Sequence, residues 1–544
     1  MHRKLVLGLL LPAGIVTVAL TGCGGGGGAS SVGSSPPPPP TSSTHTDVAT
    51  YRDDVGRTGA DTTESVLTPT NVNSSSFGLL RMLSVDGRVD AQPLYLSQLS
   101  IGGATHDVLF VATENDSVYA FDPETGTTLW HVSLLESGET PSDDRGCGQI
   151  TPEIGVTSTP VIDTGAGPSG AIFVVAMSKD GSSNYYQRLH ALDLTTGAEL
   201  FNGPTTINPT YSSTAGGQQA FSPGQYAERA ALLLENGTIY TSWTSHCDVQ
   251  PYSGWVVAYS ESTLAQAAVI NIAADSSGGP SIWMSGDGLA ADSSGNIYLL
   301  TANGGFDTTL TSSGLPQYGD YGNSFVKLST AGGGLAVADF FAPFNEVAES
   351  AADEDLGSGG VMLLPDQTDS GGVVRHLMVG AGKDGNLYVI DRDSMGGFSS
   401  STNADWQELD GVFGSGVFST PAYFNGTIYY GGVSGPLQAF AVSGAKLSAQ
   451  PTSETSTEFP YPGTSPAVSA NGTSDGIVWA VENSNPAVLH AYDATDLTHE
   501  LYDSTQAANG RDSFGAGNKF ITPAVADGMV FVGTPTGVAV FGLL

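Results

Sequence analysis

Basic residues are scarce: 17 Lys and Arg stand against 54 Asp and Glu, giving a formal charge of −37. A surface of that sign repels phosphate backbones and anionic lipid alike, which argues against nucleic acid as a partner. The acidity suits a soluble extracytoplasmic surface, and it also leaves carboxylates available for calcium or a cationic partner. Charged residues of both signs make up only 13% of the chain, against 72 glycines and 30 prolines. That balance favours short strands punctuated by turns over long charge-rich helices. Cysteine is nearly absent, with three in 544 residues. His246 beside Cys247 has no second ligand pair at zinc spacing, so a structural zinc site is not expected. Gly380-Ala-Gly-Lys-Asp384 has Asp where a phosphate-binding loop needs Ser or Thr, and it opens a strand. The nine histidines form no hydrolase motif.

The N-terminus carries a specific signal. His2, Arg3 and Lys4 precede an apolar run from Leu5 to Leu20 that ends in Leu20-Thr-Gly-Cys23. This is the pattern of a removed export signal with a lipobox, and it resembles bacterial lipoproteins, in which the cysteine is acylated and anchors the chain to a membrane. Residues 1–22 are then the signal peptide. Residues 23–45, running from Gly24–Gly28 to Pro36–Pro40, are a tether that cannot bury a core. Gly24 after the lipidated Cys23, in place of Asp, favours the outer membrane. Cys147 and Cys247 remain for a compartment in which disulfides persist, either as one bond or as two separate buried thiols.

Residues 46–544 are dominated by repetition. A segment of apolar, small, apolar residues, often followed by Asp-x-x-Thr-Gly, recurs eight times at intervals of about 50 to 70 residues. The copies start at Ser117, Arg188, Trp255, Ser324, Asn386, Pro436, Val488 and Gly537. Upstream of each, a Pro or Gly opens a short apolar strand that runs into a tight turn. Asn236-Gly237, Asn425-Gly426 and Asp527-Gly528 mark hairpins, because both central positions of a type I′ turn need φ > 0. Units of three or four antiparallel strands repeated radially make a β-propeller, here all-β with eight blades of four strands. The last copy ends at Leu544 without a fourth strand, and Phe77-Gly-Leu-Leu-Arg-Met-Leu83 is expected to supply it and close the ring.

The most complete copy, Asp122-Pro-Glu-Thr-Gly-Thr-Thr-Leu-Trp130, resembles the repeats of pyrroloquinoline quinone (PQQ) enzymes, whose tryptophan docks one blade on the next. Further segments resemble, in order, the cofactor site of quinoprotein alcohol dehydrogenases. Gly278-Gly-Pro-Ser-Ile-Trp283 looks like the segment that places a tryptophan under the quinone, and Thr301-Ala-Asn303 like the one whose asparagine binds calcium. Asp353-Glu-Asp355 looks like the stretch with the catalytic aspartate. Lys383-Asp-Gly-Asn-Leu-Tyr388 looks like the one whose basic residue contacts the quinone oxygens. The resemblance implies Asp355 as base and metal ligand, Trp283 and Lys383 as PQQ contacts, and Asn303 as a Ca2+ ligand. Each role has its own chemistry: aromatic stacking, oxygen ligation, proton abstraction and charge stabilisation. Each segment also has a plain reading as blade packing, turn, acidic loop or hairpin. The family's adjacent-cysteine disulfide is missing. Its calcium-binding glutamate is replaced by Ser245-His-Cys-Asp248, in which only Asp248 offers a carboxylate. No Cys-x-x-Cys-His haem motif occurs.

Two functions are therefore expected to compete. One is a PQQ-binding oxidoreductase acting on an alcohol or sugar outside the cytoplasm. The other is a non-catalytic propeller lipoprotein that binds a surface protein or glycan at the outer membrane.

Overall fold

A computed structural model describes residues 45–276 and 278–544; the signal peptide, Cys23 and nearly all of the tether lie outside the described residues. Eight antiparallel sheets follow one another along the chain. Their innermost strands are Leu94–Ile101, Val161–Asp163, Leu233–Glu235, Ala290–Ala291, Val361–Leu363, Ala422–Phe424, Ala467–Asn471 and Ala524–Ala526. These define blades 1 to 8 of an eight-bladed β-propeller. The ring closes as the sequence predicts: Phe77–Ser84 pairs antiparallel with Gly537–Leu543, with Phe77 opposite Leu543.

The hairpin signals mark real turns. Asn236 and Gly237 have φ of 51° and 71°, Asn425 and Gly426 45° and 78°, and Asp527 and Gly528 44° and 80°. Because each turn fixes the register of its strands, alternate side chains fall between neighbouring blades and the core is a set of apolar layers shared by adjacent sheets. Trp130 shows how one blade docks on the next. Its Nε1–H donates to Leu194 O of blade 2 at 2.9 Å, and a Cβ on Gly197 would lie 2.8 Å from its ring. Trp406 of blade 5 reaches Ala445 O of blade 6 in the same way, at 2.5 Å.

One element was not legible as a repeat. Residues 46–60 run along the inner edges of the first strands and bond to every blade. The main chain of Val48 exchanges hydrogen bonds with Tyr95 of blade 1 at 2.8 and 3.0 Å. The carbonyls of Ala49, Val55, Gly56, Thr58 and Gly59 accept from Ile162, Ala291, Leu363, Tyr423 and Val468, at 2.8–2.9 Å, which covers blades 2, 4, 5, 6 and 7. Arg57 reaches Leu232 O of blade 3 at 3.1 Å, and Thr46 N–H donates to Asp527 Oδ1 of blade 8 at 3.0 Å. The inner edge of a propeller blade is an unpaired strand edge, and this strap supplies its partners.

Candidate functional site

In an antiparallel blade, the loop leading into the first strand and the turn joining the second strand to the third lie at the same end. Those are the segments that surround a cavity of about 470 Å³. Entry loops contribute Arg229, Trp283, Ser285, Asp353, Asp355, Phe418, Tyr461, Lys519 and Phe520, while second-to-third connections contribute Asp248, Tyr252, Asn303 and Lys383. All five residues expected at a cofactor site, Trp283, Asn303, Asp355, Lys383 and Asp248, therefore line one cavity.

The helix Glu346–Ala352 delivers the acidic segment. It ends on Asp353, whose left-handed φ of 63° lets its N–H cap Glu349 O. Two residues on, Asp355 turns inward: its side chain is 10% exposed, against 75% for Asp353. Lys383 Nζ bridges the two, 2.5 Å from Asp355 Oδ2 and 3.1 Å from Asp353 Oδ2. Asn303 completes the group, with its backbone N–H on Asp355 Oδ1 at 2.9 Å and its Nδ2 on Asp353 Oδ1 at 2.8 Å. Burial pushes the Asp355 carboxyl above the ordinary carboxylate range, more than the Lys383 ammonium and the Asn303 N–H pull it down. Burial alone would lower the Lys383 ammonium, but the Asp355 charge overrides it and the net direction is up.

The opposite wall is cationic and was missed in the sequence. Arg229 lies over the Phe520 ring, 4.8 Å from its centroid, and Lys519 is the next residue along the chain from that ring. Neither has a carboxylate within ion-pair distance among the described residues. Burial lowers both pKa values; for Lys519 the neighbouring Arg229 and Arg88 lower it further. The nearest carboxylates act from beyond ion-pair distance: Asp90 and Glu114 favour the Arg229 charge and Asp90 that of Lys519, while Asp90 itself pairs with Arg88 at 3.3 Å and burial pushes the Glu114 carboxyl up. In a chain with only 17 basic residues, two without an ion-pair partner among the described residues line one cavity.

Trp283 is half-buried and lines the cavity, and no aromatic ring among the described residues stacks on it. Beneath it, Tyr51 of the strap and Thr420 both donate to Gly286 O, the Thr420 bond being 2.9 Å. The strap thus supports the segment that carries the ring. Cys147 and Cys247 are bonded to each other, with Cα atoms 5.4 Å apart, and Cys247 N–H donates to Gln149 Oε1 at 3.3 Å. This bond joins the loops that place Gln149 and Asp248 at the cavity rim.

Trp283 and the two cations suit a planar polycarboxylate. At Asn303, Asp248 and Asp355, the residues expected as calcium ligands, the donors are turned to protein partners instead of to a shared metal position. Both Asp355 oxygens are taken by donors, Asn303 presents its amide nitrogen, and Asp248 Oδ1 faces Ser245 Oγ and Tyr252 OH at 3.4 Å each. No three His, Cys, Asp or Glu side chains among the described residues converge for a metal.

No protein-family model matches the chain, and no curated protein matches it in sequence. Among solved structures it is similar to the quinohemoprotein alcohol dehydrogenase of Comamonas testosteroni, with a TM-score of 0.58 at 15% identity, covering 91% of this chain and 80% of that one. Quinohemoprotein alcohol dehydrogenase ADHIIG of Pseudomonas putida gives 0.58 at 14% identity, with the same coverage. A europium-containing methanol dehydrogenase gives 0.56 at 13%, covering 92% and 98%. At these identities the likeness shows the fold: an eight-bladed propeller matching quinoprotein alcohol dehydrogenase structures.

Proposed function

We propose that the protein binds PQQ and acts as a quinoprotein-like oxidoreductase on an alcohol or sugar, outside the cytoplasm and held to the outer membrane through Cys23. The observation that carries this reading is the cavity, which is lined by the Trp283 indole, two cations without an ion-pair partner among the described residues, and a buried carboxylate paired with lysine. PQQ is a flat tricarboxylate, so Trp283 offers its ring a stacking surface and Arg229 and Lys519 meet its carboxylates. When bound, it supplies a two-electron acceptor. Asp355 would take the hydroxyl proton of the substrate as that acceptor oxidises it to a carbonyl product. Lys383 places positive charge beside the oxygens that become negative. The electrons then pass to an external acceptor, since the chain has no Cys-x-x-Cys-His motif.

Titrating the purified chain with PQQ, followed by quinone absorbance and by dye reduction with a panel of alcohols and aldoses, tests the reading. Saturable binding is expected. Asp355→Asn should keep that binding and lose turnover at least 100-fold, in line with loss of a positioned general base. A chain that does not bind PQQ saturably is left with the scaffold reading, as a protein- or glycan-binding propeller.

A further inference from the structure

We infer that Lys383 is the resident cation of this site: its ammonium fills the place among Asp355, Asp353 and Asn303 that a divalent ion would need, so the cavity takes its ligand without a metal. Three observations lead there. The first is position, because Nζ lies within 2.5 Å of one carboxylate and 3.1 Å of the other, as a bridging ion would. The second is polarity. A metal requires oxygen lone pairs directed at it, yet Asn303 directs Nδ2 at Asp353 and its backbone N–H at Asp355, an arrangement suited to carboxylates already neutralised by an internal cation. The third is the wider donor inventory. Asp248, the remaining carboxylate of the cavity, turns Oδ1 to Ser245 and Tyr252 at 3.4 Å each, and no three His, Cys, Asp or Glu side chains among the described residues are grouped for a metal.

The physical logic is charge balance. Two carboxylates close together in a partly buried site need a counter-charge, and a lysine fixed on the strand-joining turn of blade 5 provides one that does not depend on metal supply. Remove the ammonium and the same oxygens become an unneutralised pair open to a hard cation. The inference deepens the proposed function at the same site, but its test needs no quinone.

The full chain, free of PQQ, is titrated with terbium under tryptophan excitation, with Trp283→Phe subtracted to isolate emission from this cavity. The wild-type chain and Lys383→Arg should give no Trp283-dependent emission, whereas Lys383→Met should gain it at least 10-fold and lose it again when combined with Asp355→Asn. Saturable, Trp283-dependent emission from the wild-type chain overturns the inference, and so does a folded Lys383→Met that gains none. Should Lys383→Met fail to fold, the wild-type and Lys383→Arg titrations decide alone, with emission from either counting against the inference. A negative PQQ titration would remove the proposed function while leaving these metal results readable.

Discussion

Replacing Arg229 by Met should make the ligand-free propeller more stable and its ligand binding weaker. Burial disfavours the Arg229 charge by more than Asp90 and Glu114 favour it, a net penalty on the order of 2 kcal/mol for a poorly compensated buried charge, and Met removes it. It also removes the contact of the guanidinium with the Phe520 ring at 4.8 Å. Such a contact is worth about 1 kcal/mol at a partly desolvated site. The net is a gain of about 1 kcal/mol. Unfolding entropy scales at about 2.1 cal/mol/K per residue, so for roughly 500 ordered residues that gain is a rise in Tm of only about 1 °C. Urea unfolding midpoints followed by tryptophan fluorescence therefore suit the stability arm better than thermal scans. For the ligand, losing a charge-assisted hydrogen bond to a carboxylate costs about 1.5–3 kcal/mol, which is about a 10- to 100-fold weaker Kd for PQQ by absorbance titration. A variant that is less stable than the wild type and binds PQQ equally well would refute the reasoning, since Arg229 would then be holding the fold and not an anion.

Three further outcomes follow from the same structure. Burial pushes the carboxyls of Glu346 and Asp287 up to about 7 and that of Glu349 up to about 8. The folded chain therefore holds protons that the unfolded chain has released above its ordinary carboxylate range. Stability should fall as pH rises from about 5 to 8, by up to about 1.4 kcal/mol per pH unit for each such group, and Glu349→Gln should flatten the trend in urea midpoints. A double Cys147→Ser, Cys247→Ser variant opens a loop of 100 residues. It should lose about 4–5 kcal/mol in equilibrium unfolding, and its Asp248 side of the cavity should become more open to hydrogen exchange. Arg57→Ala removes donors to Leu289 O, Leu232 O and Tyr51 O, at 2.8–3.1 Å, and leaves buried Asp287 with the weaker influence of Arg52 as its neighbouring cation. A loss of about 3–5 kcal/mol is expected, readable as a shifted denaturant midpoint with unchanged m.

The ring was legible because each blade states its own turns. Asn236-Gly237 and its counterparts force φ > 0 locally, and that requirement is written in single dipeptides. The closing strand was legible by elimination, since the chain runs out after Gly537–Leu543. The strap was not. It works through carbonyls and two arginines that reach blades hundreds of residues away, and nothing in residues 46–60 marks that partnership in advance. In the site, Trp283, Asn303, Asp355 and Lys383 were found because they sit in ordered, repeat-flanking segments. Arg229, Lys519 and Phe520 come from entry loops of blades 3 and 8 that carry no motif. One signal was available: in so acidic a chain each basic residue beside a strand opening is unusual, and both Arg229 and Lys519 stand there. The orientation of Asn303 was illegible for a different reason. Sequence gives donor types but does not show that Asn303 turns Nδ2 to Asp353, a carboxylate that Lys383, 80 residues further on, also meets.

The strap also bears on the order in which this protein is made. Its residues leave the ribosome before any blade, yet Thr46 ends on Asp527, and Arg52 donates to Pro466 O at 2.8 Å. Arg57 has its acceptors once blade 4 is made and Arg52 once the chain has reached Pro466, but Tyr51 still lacks Thr522 and Thr46 still lacks Asp527 until the last blade has been synthesised. Completion of the ring is thus a whole-chain event. A chain truncated by even its final blade loses both the partner of Thr46 and the strand that pairs with Phe77–Ser84.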